Sequence, residues 1–80
     1  MQTINLLRAL KKAGYTANLV DDKRKQYLCT TATRKLEWYD QDGTAICVHS
    51  SRLEDRDNLM TDDFPGYFCT TIRDAVKSLT

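Results

Sequence analysis

The chain has 80 residues, 41% of them hydrophobic and 29% charged, and a formal net charge of +1. This length makes one domain with a small core, the composition is that of a folded chain, and the near-neutral charge argues against a dedicated non-specific nucleic-acid binder. No apolar run approaches the roughly 20 residues that span a bilayer. The opening MQTINLLRALKKAG has neither the basic start nor the unbroken apolar stretch of a secretory leader. The expected compartment is therefore the cytoplasm, where thiols stay reduced. Charge is unevenly spread: residues 1–40 carry eight Lys or Arg and four acids, whereas residues 41–80 carry four and seven. Such asymmetry steers partners, although two solvated faces of a domain produce it equally well.

The first element is an amphipathic helix. Ile4, Leu6, Leu7, Leu10 and Ala13 recur at helical spacing, with Arg8, Lys11 and Lys12 opposite. Thr3 is the expected N-cap, and Gly14 supplies the left-handed residue that ends the helix. From Tyr15 the period changes to two, which predicts strands over 15–20, 26–31, 35–40 and 44–49. The charged turn 21–25 joins the first pair, and Gln41-Asp42-Gly43 makes a tight hairpin turn in which Gly43 takes positive φ. Alternation places Ala17, Leu19, Leu28, Leu36, Trp38, Ile46 and Val48 inward, with Tyr27, Cys29, Tyr39, Cys47 and His49 outward. Thr71 opens a second helix whose Ile72, Ala75, Val76 and Leu79 form one apolar stripe. The expected fold is a single α+β domain over residues 1–80, ordered α-β-β-β-β-α. It has two layers, a four-stranded antiparallel sheet covered by two helices on one face.

The segment 51–66 stands apart. It reads as a long polar connection, and connections beyond about 12–15 residues in compact domains are usually functional or disordered. Glu54, Asp55, Asp57, Asp62 and Asp63 face only Arg52 and Arg56 in charge, with Leu59 and Met60 as exposed contact points and Leu53 and Phe64 as anchors. Acids spaced in this way mimic phosphates and compete for a basic groove.

Chemistry is sparse. Cys29, Cys47, Cys69 and His49 are the only soft metal ligands and lack zinc spacing, so no metal or other cofactor is expected. No phosphate-binding, dinucleotide or nucleophile-elbow motif occurs. A flat sheet also offers Cys47 and His49 no cleft, so an enzyme is not expected. Two readings follow. The first is a protein-binding module whose contact set is Glu54, Asp55, Asp57, Leu59, Met60, Asp62 and Asp63, directed at a protein complex with a basic nucleic-acid-binding surface. The second is an RNA- or DNA-binding module using Arg8, Lys11, Lys12, Lys23, Arg24 and Lys25 on phosphates, with Tyr27 and Tyr39 stacking bases. An uncovered sheet face carrying Tyr27, Tyr39 and Ala45 would also pair two copies of the chain.

In size, α+β layout and lack of a catalytic motif, the chain resembles small phage and mobile-element proteins of the anti-CRISPR type. That resemblance implies stoichiometric inhibition of a host defence complex. The layout is also similar to the double-stranded RNA-binding fold, α-β-β-β-α. It departs from that fold in its fourth strand and in having Thr70, Thr71 and Arg73 where the family places a lysine cluster.

Overall fold

The computed structural model describes residues 1–53 and 66–80. The elements are α1 (Thr3–Lys12), β1 (Ala17–Asp21), β2 (Gln26–Thr30), β3 (Arg34–Gln41), β4 (Thr44–Arg52), β5 (Tyr67–Phe68) and α2 (Ile72–Lys77). The strands form one antiparallel sheet in the order β1-β2-β3-β4-β5. The four-stranded expectation is thereby corrected: the described residues form five strands, the fifth pairing Phe68 with His49 and Tyr67 with Ser50. Two residues are too short for alternation to register, and β5 exists because β4 runs on to Arg52 and offers it an edge. The extension also moves Ser51 and Arg52 out of the expected connection and into the sheet, where Ser50 and Ser51 are fully buried.

Both helices pack on one face of the sheet, giving two α+β layers around a single core. Leu6 and Leu10 of α1 meet Ala75 and the following Leu79 over Cys29, Leu36, Trp38, Ala45 and Val48. Trp38 is fully buried, as expected, and its ring stacks on Tyr27 at 5.2 Å with an interplanar angle of 5°.

That stack marks a face the alternation pattern misassigned. Cross-strand partners share a face, and the register sets Cys29 opposite Leu36 and Tyr27 opposite Trp38. Tyr27 and Cys29 therefore point to the helices, and Leu28 lies on the other side with Glu37. A ring that stacks on tryptophan, together with a small thiol beneath the helices, fills the layer better than one leucine. The second discrepancy has a backbone cause. Between Glu37↔His49 and Tyr39↔Ile46, β4 spends one residue more than β3. This is a bulge at Cys47, whose φ is +52°. Beyond it the parity of β4 inverts, so Ala45 and Val48 are buried inward while Ile46 shares the outer face with Tyr39.

Local signals behave as their chemistry dictates, with one exception. Asp42 and Gly43 both take positive φ, the paired left-handed turn a two-residue hairpin requires. Gly14, at φ +94°, follows the α1 C-cap Ala13. The Thr71 side chain accepts the Asp74 backbone N–H at 3.1 Å. Thr3 is the exception: Gln2 caps α1, while Thr3 is buried and donates its hydroxyl to Asp40. A backbone bond does the capping instead, Thr3 N–H to the Gly43 carbonyl at 2.9 Å.

Candidate protein-binding surface at the β5 edge

The acidic set (Glu54, Asp55, Asp57, Asp62 and Asp63) and the contact points Leu59 and Met60 lie outside the described residues. The basic set is described and is dispersed. Arg8, Lys11 and Lys12 are exposed along α1. Lys23, Arg24 and Lys25 are exposed in the β1–β2 turn, where Asp21 and Asp22 pair with Arg24 and Lys25. Arg24 Nε sits 3.8 Å from the Asp21 carboxylate and Lys25 Nζ 3.1 Å from Asp22. Asp21 also accepts the Lys23 and Arg24 backbone N–H groups at 3.0 and 3.2 Å, so the same acid that pairs with Arg24 also holds the turn backbone. Tyr27 is stacked against Trp38 on the helix side, whereas Tyr39, adjacent to Trp38 in β3, lies on the opposite face. The two tyrosines do not form one stacking platform, and Tyr27 and Ala45 leave the outer face that a second copy would have covered.

The structure gathers its distinctive side chains at the other end of the sheet. Among the described residues β5 pairs with β4 alone and forms one edge of the sheet. Tyr67 is 48% and Phe68 69% exposed; among the described residues the other large apolar side chains this exposed are Ile4, Leu19 and Val20, all aliphatic. Because they are adjacent in a strand, they serve opposite faces. Tyr67, paired with the helix-side Ser50, faces Arg34, whose guanidinium carbon lies 5.9 Å from the ring centroid. Phe68 turns to the outer face and meets the His49 imidazole edge-on at 5.4 Å.

Arg34 is held by its neighbours. Its backbone N–H donates to Thr31 Oγ1 at 3.0 Å and its carbonyl accepts from the Thr31 N–H at 2.8 Å, closing the β2–β3 turn. Its Nη2 donates to the buried Ser50 hydroxyl at 3.1 Å. Arg34, Tyr67, Phe68, Asp74, Lys77 and Thr80 line an open cleft of about 430 Å³ between β5 and α2.

On the outer face of the same end lies a buried polar group. Lys35 is 3% exposed and pairs with Glu37 at 3.2 Å; Glu37 also accepts the Gln26 side-chain amide at 3.0 Å. His49 stands opposite Glu37, and burial pushes its imidazole below the ordinary value, with Glu37 raising it and Lys35 lowering it further.

Burial raises the thiols of Cys29 and Cys69, which keeps them protonated. All three cysteines are free, with Cys47 exposed. Among the described residues no group of three His, Cys, Asp or Glu side chains is placed to hold a metal ion, and no helix is long and apolar enough to cross a membrane. Neither Arg34 nor the β5 aromatics emerged from sequence reasoning. The available signal was Tyr67-Phe68 directly after Pro65-Gly66, two rings too few for a core strand. Comparison with known proteins found no family, no curated protein and no solved structure that matches this chain.

Proposed function

We propose that this is a non-catalytic, cytoplasmic protein-binding module that acts by occupying a surface of its partner. In its most concrete form it is a stoichiometric inhibitor of a host defence complex. The observation that supports this reading is the β5 edge, where Tyr67 and Phe68 are exposed on two faces of one short strand beside Arg34. Tyr, Phe and Arg are the residue types that interfaces favour, and exposing two rings at a sheet edge is a solubility liability that a partner removes. In the sequence the acidic segment leads into this strand, and Glu54, Asp55, Asp57, Asp62 and Asp63 complete the proposed contact set.

Affinity capture from the native host, with and without nuclease, tests the reading. One stoichiometric protein partner is expected. Phe68→Ala should weaken its capture roughly tenfold, charge reversal of the five acids should lower its on-rate and salt sensitivity, and neutralising Arg8, Lys11 and Lys12 should change nothing. Nuclease-sensitive recovery, lost with the basic substitutions and kept with the others, overturns the reading in favour of nucleic acid.

A further inference from the structure

We propose that the Arg34 cleft is a carboxylate subsite: it receives the acidic side chain or terminal carboxylate of the partner protein. The proposal rests on the protein-binding reading and adds the chemistry of the contact.

Three observations carry it. First, Arg34 is a half-buried cation with no carboxylate at ion-pair distance among the described residues. Its Nε is shut away from solvent without a hydrogen-bond partner, and one Nη2 N–H is used on Ser50. Arg34 lines the cleft, and its guanidinium fork carries further N–H donors of the kind that pair with a carboxylate.

Second, the fork is fixed before any ligand arrives. The Ser50 bond, the Tyr67 ring and the Thr31 turn each restrain it. A restrained fork loses less entropy on binding than a surface arginine does.

Third, the cleft selects the charge of its guest. Among the described residues, its side chains carry Arg34 and Lys77 against Asp74, a balance of one positive charge. A monoanionic carboxylate balances it, whereas a phosphate with close to two negative charges meets repulsion from Asp74. The Tyr67 and Phe68 rings alongside suit an acidic residue embedded in a protein surface. A phosphodiester backbone, by contrast, is usually met by several exposed cations.

The test uses the whole chain and needs no partner. Isotope-labelled protein is titrated with N-acetyl-glutamate N-methylamide, with its neutral glutamine analogue, and with inorganic phosphate, following the Arg34 Nε–H and the backbone amides of Tyr67, Phe68, Lys77 and Thr80. The glutamate probe should give saturable shifts with a dissociation constant on the order of 10 mM, the range of one charge-assisted contact. The glutamine probe should give none, and Arg34→Gln should abolish the response while Arg34→Lys keeps a weaker one. Equal response to both amino-acid probes, no saturable response, or saturation by phosphate alone each overturns the proposal. Arg34→Gln is checked for a native amide spectrum, and if it fails to fold, Lys77→Gln must weaken the glutamate response at least twofold or the proposal falls. A failed titration with Phe68 still required for capture removes the subsite and leaves the protein-binding reading standing. A saturable titration without any captured protein does the opposite.

Discussion

The two ends of this sheet treat positive charge in opposite ways. In the β1–β2 turn, Arg24 and Lys25 stand in water and each finds a carboxylate three residues away in sequence. At the start of β3, Arg34 and Lys35 are withdrawn from water. Lys35 is satisfied by a buried carboxylate on its own strand face, and Arg34 by a hydroxyl and a ring. These four cations, two at each end, therefore mean different things. Arg24 and Lys25, paired within one turn, have less left to offer a ligand, whereas Arg34, with no carboxylate at ion-pair distance among the described residues, has more of its field available. The denser basic cluster is thus the poorer guide to a binding site.

Substitutions at Lys35 should break this contrast most visibly. Lys35→Met leaves Glu37 half-buried without its cation and should cost about 2–4 kcal/mol in urea unfolding, below the top of the range for buried pairs because the Gln26 amide still serves it. Adding Glu37→Leu should restore most of that loss, since a matched apolar pair carries no stranded charge. An unrecovered double variant would mean that the pair itself holds the sheet.

Arg34→Gln should weaken partner capture roughly tenfold or more while costing about 0.5–1.5 kcal/mol of stability, the worth of its Ser50 bond. The corresponding change of Lys23, Arg24 and Lys25 to Gln should move stability by no more than about 0.5 kcal/mol and leave capture unaffected. Equal effects of the two sets on capture would erase the distinction between the ends.

The smallest expected effect is a slope with pH. Burial holds the folded His49 imidazole below its ordinary 6.5, so below that value the unfolded chain takes up a proton that the folded chain refuses. Stability is therefore unaffected above 6.5 and falls as pH drops through it, levelling off below the folded value. His49→Gln should flatten the unfolding free energy between about pH 5 and 7, and a slope that persists in the variant would place its origin elsewhere.

Much of the fold was legible because its signals are local. The α1 and α2 stripes, the Gly14 stop, the Thr71 cap, the Asp42-Gly43 turn and the buried Trp38 depend on residues within a few positions of one another. What was misread depends on distant partners. Tyr27 and Cys29 are ambiguous in isolation, and only the pairing with Trp38 and Leu36 turns them inward. Cys47 carries no mark of a bulge, since left-handed backbone is expected of glycine or asparagine, yet one extra residue there reverses the parity of β4. The site was less legible still. Arg34 and Tyr67 are 33 residues apart in the numbering and meet only because β4 lies between their strands. The acidic set that sequence favoured lies outside the described residues.

Strand order along the sheet repeats strand order along the chain, and this bears on how the molecule folds. Each of the first three pairings closes a short turn, so most of the sheet assembles through contacts of small sequence separation, the regime of fast folding. The long-range commitment falls on α1. Its start is tied to the β3–β4 turn by the Thr3 N–H to Gly43 bond and the Ala45 N–H to the Met1 carbonyl, across about 40 residues of chain. Such an arrangement favours a nucleus in the β3–β4 hairpin, where two left-handed turn residues fix the register, followed by docking of the first helix. Destabilising changes at Asp42-Gly43 would then slow refolding, whereas changes at Thr3 would chiefly hasten unfolding.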